Sequence, residues 1–357
     1  MILRNKLIKI GPRFIGPGQN PYIIAEMSAN HNGSIDRAFS IMEEAKKAGA
    51  DAIKIQTYTA DSITIDHDGP EFIVDLPLWN GQTLYNLYED AHTPWEWHEP
   101  LFKKGRELGI TVFSSPFDFA AVDFLEKLNA PAYKIASSEL VDIPLIEKVA
   151  STGKPLIIST GMGTVEEIAD AVKSARNMNC KDLILLHCVA AYPTPYEDVN
   201  LGNIQVLAKK FNVLTGLSDH TLGTVVASAA TAMKATVIEK HFTLSRDDGG
   251  VDSAFSIEPS ELRNLVDDTR IITASCKESK IGPKQSEKQG LKYRRSLYIV
   301  EDINAGDRFS KKNIRSIRPS NGLRPKYYNS LLKCTASRSL KKGEALTWDM
   351  VSGEIKK

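Results

Sequence analysis

Two lysines stand where the surrounding sequence is apolar and β-rich. Lys54 lies in Ala-Ile-Lys-Ile-Gln and Lys134 in Ala-Tyr-Lys-Ile-Ala. An unpaired buried ammonium is costly, so each needs an anion: a carboxylate such as Glu26 or Glu139, or a phosphate or carboxylate of a ligand. Hydroxyl residues favour the ligand, because they close several apolar runs: Ser114 and Ser115, Ser137 and Ser138, Ser159 and Thr160, and Ser218. Converging hydroxyls and backbone N–H groups bind phosphate well. His220 and His241 end two further runs, and an imidazole pair with open positions suits a divalent metal completed by substrate and water. His67, His92 and His98 are isolated and read as structural, and His187, beside Cys188, as core. Glu26 closes the first run and adds one carboxylate. The set points to chemistry on a small phosphorylated acid. Neither GxxxxGK[ST] nor GxGxxG occurs, which argues against ATP or NAD.

These residues must be carried by elements that converge. From residue 22 onward, short apolar runs alternate with helical periodicity. The runs are residues 22–25, 52–56, 111–115, 132–136, 156–159, 183–188, 214–217 and 236–239. Helices are expected over segments such as 34–48, 94–108 and 165–178, several of them stopped by glycine, as at Gly49, Gly109 and Gly153. Eight βα units imply a parallel sheet and favour a closed (β/α)8 TIM barrel over an open doubly wound sheet; in a barrel the catalytic groups sit at the C-terminal ends of the strands. Residues 58–93 supply no clean helix but carry Phe72, Trp79, Tyr85 and Tyr88. They read as a structured cover over a sugar site, or as a loop packed on the barrel flank.

Near Gly282 the pattern changes. The expected division is a catalytic barrel over residues 1–282, a linker over 283–292 and a small β domain over 293–357. That last part holds a weak repeat, since Asp302-Ile303-Asn304-Ala305-Gly306-Asp307 parallels Ser339-Leu340-Lys341-Lys342-Gly343-Glu344. So short a domain buries little core, which favours packing against a partner.

The chain has 357 residues, 42% apolar and 25% charged, with a net charge of +1. That balance argues against a nucleic-acid binder or a polybasic membrane binder. Four scattered cysteines read as free thiols, with Cys188 as core, and residues 1–15 show no leader or spanning run. A cytoplasmic enzyme is expected.

At these same residues the chain resembles the sialic acid synthase family of phosphoenolpyruvate-dependent nonulosonate synthases. The matches include Ile24-Ala25-Glu26, Asn30-His31-Asn32-Gly33-Ser34, Lys54-Ile55-Gln56-Thr57, Tyr133-Lys134-Ile135 and Ser159-Thr160-Gly161-Met162. They continue through Tyr192-Pro193-Thr194-Pro195, Gly216-Leu217-Ser218-Asp219-His220-Thr221 and Glu239-Lys240-His241-Phe242. The tail resembles the family's antifreeze-like (SAF, β-clip) domain at Arg318-Pro319-Ser320-Asn321-Gly322. Within the family, Glu26-Met27-Ser28-Ala29-Asn30-His31 and Asp252-Ser253-Ala254-Phe255-Ser256 resemble the branch that takes 2,4-diacetamido-2,4,6-trideoxy-L-altrose. Sialic and legionaminic acid synthases more often read Glu-Ile-Gly at the first stretch and Gly-Pro-Asp-His at the second.

The resemblance implies roles. His220 and His241 would hold Mn²⁺ or Mg²⁺. Lys54, Ser115, Lys134, Ser137, Ser159 and Ser218 would hold phosphoenolpyruvate. Glu26 would be the acid/base. Gln56, Glu139, Tyr192 and Asp252 would lie on the sugar side, with Phe117 lining the substrate site. Arg318 would reach the site of a second subunit, making a domain-swapped homodimer. Ala190 departs from the pattern, since a hydroxyl or amide touching phosphate is expected there. The competing readings are a synthase for another sugar, a two-His metallohydrolase on the same barrel, and a binding module on an inactive barrel. Intact Glu26, His220 and His241 speak against the last.

Overall fold

The computed structural model describes residues 6–277 and 279–353. The chain divides into two units, Met1–Glu278 and Ser279–Lys357. The first opens with an antiparallel hairpin, β1 (Ile8–Ile10) and β2 (Arg13–Ile15). Its turn holds Gly11 at φ 55°, where a Cβ would lie 2.3 Å from Thr111 Oγ1, so only glycine fits without a shift. The sequence reading did not anticipate this hairpin.

Eight parallel strands then close a barrel. They are β3 (Tyr22–Glu26), β4 (Ala52–Thr57), β5 (Thr111–Pro116), β6 (Tyr133–Ile135), β7 (Leu156–Ser159), β8 (Leu183–Cys188), β9 (Leu214–Asp219) and β10 (Val237–His241). All eight expected strands are present. The last two run two residues further than expected, to Asp219 and His241. The outer helices are α1 (Ile35–Ala48), α4 (Trp95–Leu108), α5 (Phe119–Lys127), α6 (Ile143–Ala150), α7 (Val165–Asn177), α8 (Asn203–Phe211), α9 (Val225–Ala232) and α10 (Pro259–Ser275). Local chemistry sets several ends. Ser34 accepts from Arg37 N at the start of α1, Gly49 ends it at φ 96°, and a Thr164/Glu167 capping box starts α7.

The excursion between β4 and α4 corrects an expectation. It contains α2 (Ala60–Ile63), a 3-10 turn Pro70–Phe72 and an eight-residue helix α3 (Leu84–Ala91). Thr83 caps α3 by accepting from Asn86 N, and Leu87 and Ala91 are buried. The spacing 84, 87, 88, 91 is helical and carried that signal.

Period two sorts the strands into two cores. Outward side chains such as Ile53, Ile55, Leu185 and Ile238 pack under the helices. Inward ones from the lower half of the strands, Tyr22, Ala52, Phe113, Ala132, Ile157, Ile184, Leu214 and Val237, form an apolar plug with Ile8, Ile10 and Ile15 of the hairpin. The hairpin thereby closes the N-terminal end of the barrel, and the charged inward residues of the strands lie towards the other end.

In the second unit, an exposed 3-10 segment, Gln285–Tyr293, occupies the stretch read as linker. β11 (Ser296–Ile299) pairs antiparallel with β12 (Ile314–Ile317), and β13 (Thr335–Ala336) with β14 (Val351–Ser352), around a core of Leu297, Phe309, Leu340 and Leu346. The short helix α11 (Tyr328–Leu331) precedes β13. The two repeats pair with each other, since Ile303 and Leu340 exchange backbone hydrogen bonds of 2.9 and 2.8 Å. Their glycines, Gly306 and Gly343, take φ 86° and 96° in matching turns. No helix among the described residues is long and apolar enough to cross a membrane.

Candidate active site

Continuing the inward register past the apolar plug gives the site. Glu26, Lys54, Gln56, Ser115, Lys134, Ser159, Cys188, Ser218, Glu239 and His241 occupy the next inward positions, and His220 follows β9 directly. Parallel pairing sets their heights. Glu26 lies beside Lys54 and His241, Gln56 beside Ser115, and Ser218 beside Cys188 and Glu239.

The lysines are not left unpaired. Lys54 Nζ is 2.9 Å from Glu26 Oε2 and 3.3 Å from Glu239 Oε1, and it donates to Ser115 Oγ at 3.3 Å. Lys134 Nζ lies 3.8 Å from the same Glu239 oxygen and donates to the Ile135 carbonyl at 3.1 Å. Glu239 Oε1 also accepts from Ser218 Oγ at 3.2 Å. The closed barrel thus supplies the carboxylate that sequence reasoning left out. Glu239 sits two residues from Val237 and from His241 on the inward face, and that spacing was the available signal.

All four charges are buried, yet they are not equivalent. Burial alone would raise Glu239, but Lys134 and Lys54 outweigh it and hold its carboxyl below the usual range. Burial raises Glu26 to about 7, with Lys54 opposing the shift and Glu239 adding to it. Burial pulls Lys134 down, and Glu239 only partly offsets that. Lys134 is therefore the cation that gains most from an added anion. Ser159 Oγ, nearby on β7, is buried without a hydrogen-bond partner among the described residues.

The hydroxyl rim is built tightly. Ser137 Oγ donates to Cys188 Sγ at 3.4 Å. A Cβ on Gly161 would come within 2.7 Å of Ser137 Oγ and 3.2 Å of Cys188 Sγ, so the loop after β7 approaches because residue 161 has no side chain. Cys188 is buried, as expected, but its sulfur faces the site. In the loop after β8, Ala190 offers no side-chain donor, and Thr194 Oγ1 is committed to the Val189 and Ala191 carbonyls.

The imidazoles of His220 and His241 lie 5.4 Å apart between ring centroids. His220 Nδ1 faces the Val189 carbonyl at 2.9 Å, so it carries the proton and leaves Nε2 with a lone pair. His241 Nδ1 is buried without a hydrogen-bond partner among the described residues, 3.7 Å from Asp252 Oδ2. Burial, then the charge of neighbouring His220 and Lys54, keeps His241 neutral. Burial would lower His220, but Cys188 beside it outweighs burial and raises it, so His220 is the ring that must give up a proton before the oriented pair becomes a donor set that fits a divalent cation. No group of three or more His, Cys, Asp or Glu among the described residues gathers to hold one, so further ligands would have to come from substrate and solvent.

Aromatic rings surround the pair. Tyr192 lies 4.4 Å from His220 and 5.1 Å from Phe255, and Phe255 lies 4.9 Å from His241. Trp79 of the excursion reaches Tyr192 and Phe255 at 6.0 and 6.5 Å. Tyr58 bridges Tyr88 and Phe117 at 5.9 and 5.1 Å. Of the excursion's aromatics, Tyr58, Trp79 and Tyr88 join these clusters, while Phe72 packs on His67. Asp252 is buried and accepts from Ala29 N at 3.4 Å. Gln56 Nε2 donates to Glu26 Oε1 at 3.4 Å. Glu139, on a 3-10 turn after β6, has a buried, unpartnered Oε2 and a carboxyl raised by burial. Arg318 is exposed in the second unit, at the end of β12. His98 is buried on the outer face, and His187 is buried against the Val199 carbonyl. A separate cavity of about 640 Å³ lies beside the β1–β2 turn and contains none of these site residues.

Comparison with known proteins decides the kinship. Residues 41–280 match the NeuB family and residues 294–352 the SAF domain. The chain belongs to the NeuB family. Pseudaminic acid synthase of Campylobacter jejuni is 44% identical over 91% of this chain and 95% of that protein. Its counterpart in Helicobacter pylori is 42% identical over 94% and 99%. N,N'-diacetyllegionaminic acid synthase of Legionella pneumophila is 34% identical over 97% and 98%. Among solved structures, the N-acetylneuraminic acid synthetase of Leptospira borgpetersenii, in complex with citrate, superposes with a TM-score of 0.72. It is 32% identical, over 81% of this chain and 96% of that one. This NeuB chain is an enzyme, a transferase that forms carbon–carbon bonds.

Proposed function

We propose that the protein is a pseudaminic acid synthase. It condenses phosphoenolpyruvate with 2,4-diacetamido-2,4,6-trideoxy-L-altrose and water, giving pseudaminic acid and phosphate. The observation that carries this reading is the inward ring, in which Lys54 and Lys134 flank Glu239 beneath a hydroxyl rim and beside two imidazoles. Near end-to-end similarity to two pseudaminic acid synthases supports the choice of acceptor.

In this reading Lys54, Lys134, Ser115, Ser137, Ser159 and Ser218 hold the phosphate and carboxylate of phosphoenolpyruvate. Gln56, Phe117, Glu139, Tyr192 and Asp252 orient the sugar. His220 and His241 would hold Mn²⁺ or Mg²⁺, which when bound would polarise the sugar aldehyde. C3 of phosphoenolpyruvate bonds to the aldehyde carbon, and the cationic C2 takes up water. Glu26, raised by burial to about 7, is suited to accept a proton from that water. The tetrahedral C2 then expels phosphate, whose charge Lys54 and Lys134 meet in place.

The reading includes a homodimer in which Arg318 of a second copy completes the site. An apolar rim around the barrel mouth supports it. Phe119, Val141, Met162, Leu222 and Val225, on segments that follow β5, β6, β7 and β9, are all exposed, Met162 to 70% and Val225 to 78%.

Phosphate release from phosphoenolpyruvate with Mn²⁺ tests the whole reading, using the altrose sugar, its legionaminic-pathway isomer and N-acetylmannosamine as acceptors. Release confined to the altrose sugar is the expected result. Release with another acceptor keeps the chemistry and changes the product. No release with any of them overturns the synthase reading.

A further inference from the structure

We infer that Trp79 is a specificity-determining residue, forming with Tyr192, and over the buried ring of Phe255, an aromatic wall that recognises a methyl group of the acceptor sugar. The inference rests on the pseudaminic reading and adds to it the residue that makes the choice.

The case starts from where Trp79 sits. It belongs to the excursion between β4 and α4, outside the barrel proper, yet its ring reaches two residues from other loops, Tyr192 after β8 and Phe255 after β10. Those two are packed against each other at 5.1 Å and against the imidazoles, Tyr192 on His220 and Phe255 on His241. Tyr192 and Trp79, backed by the buried Phe255, therefore form a surface that runs from the histidine pair to the indole. A sugar whose aldehyde carbon lies at the histidines extends its far end along that surface.

The chemistry of the wall selects what lies there. The indole Nε1–H is spent on the Val251 carbonyl at 3.0 Å, so Trp79 offers the acceptor no donor, only its ring. Phe255 is buried and apolar. Aromatic faces of this kind favour apolar groups over hydroxyls. A 6-deoxy sugar carrying acetamido groups presents methyls, whereas a 6-hydroxy sugar would bury an unpaired hydroxyl. Trp79 is only half-buried, so truncating it leaves the barrel core intact.

The Val251 bond allows another role, because that residue precedes Asp252 and the indole could act solely as a latch on its loop. Two substitutions separate the roles. Trp79→Phe keeps a ring and loses the N–H, whereas Trp79→Ala loses both. Steady-state phosphate release is measured on the full chain with Mn²⁺, varying the diacetamido-altrose and phosphoenolpyruvate in turn. For Trp79→Ala the acceptor KM rises at least about tenfold, the scale of one lost aromatic contact, while the phosphoenolpyruvate KM stays within about twofold. Trp79→Phe raises the acceptor KM no more than a few-fold; should the Ala variant fail to fold, Trp79→Leu, which also loses both ring and N–H, takes its place in the comparison. Equal acceptor KM values in the two variants would assign the effect to the latch and overturn the wall. So would an equal rise in both KM values for Trp79→Ala. Failure of the unsubstituted enzyme to use the altrose sugar would overturn the parent reading and this inference together.

Discussion

At the residue scale, the site is an arrangement of compensating charges. Glu239 touches Lys54 and comes within 3.8 Å of Lys134, so it is the group that lets two buried ammoniums share one cavity. Replacing Glu239 with Gln leaves Lys134 without a carboxylate and Lys54 with Glu26 alone. Breaking a buried pair costs roughly 3–5 kcal/mol. The expected outcome is a fall of several degrees in Tm, partly reversed by millimolar inorganic phosphate, which supplies the missing anion. Thermal melts with and without phosphate check this, and an unchanged Tm would show that Glu239 is not the bridge. Both lysines, the serines and both histidines were legible because each interrupts or ends an apolar run. Glu239 was not, because Lys240 and His241 follow it and the charged cluster reads as a strand ending. Lys240 in fact faces outward, paired with Asp219 at 2.9 Å.

At the scale of elements, the strands could be read because parallel strands covered on both faces are short, apolar and β-branched. The β1–β2 hairpin escaped notice, since two three-residue strands among lysines and prolines carry little pattern. One joint between elements sets a pH response. His98 of α4 holds β4 through Thr57 Oγ1, 2.7 Å from its Nε2, and Thr57 Oγ1 in turn lies 2.6 Å from Ser114 Oγ of β5. Burial keeps His98 neutral down to about pH 4 in the folded protein, against 6.5 for a free imidazole. Between those values the unfolded chain binds the additional proton, so stability declines as the pH drops from about 6.5 towards 4. His31, likewise lowered to about 4 by burial, adds to the same slope. In His98→Asn the Tm should depend less steeply on pH across this window. Identical slopes for the two proteins would remove His98 from the account.

On the scale of the whole molecule, the change of grammar near residue 280 was legible from composition, and the structure divides at Glu278. The repeat in the second unit was visible as spacing, but that its copies pair with each other depends on backbone bonds no spacing reports. The exposed apolar rim of the barrel was invisible in sequence, because Phe119, Met162 and Val225 sit at helix starts and in loops and look like ordinary core residues. If that rim seats a second copy, Met162→Glu with Val225→Glu should halve the mass in sedimentation and abolish turnover while the isolated chain stays folded. A double variant that keeps both the dimer mass and full activity would exclude this face.

The apolar plug beneath the charged ring has a kinetic consequence. Ile8, Ile10 and Ile15 stop one end of the barrel, so everything that enters must leave by the same door. Lys54 and Lys134 are rooted one inward position below Gln56 and Ser159. An anion lodged on them lies under whatever occupies the ring wall above. Traffic through such a vessel is last in, first out: on the proposed reading the small acid would load before the sugar, and spent phosphate would wait at the bottom until the condensed sugar acid had gone.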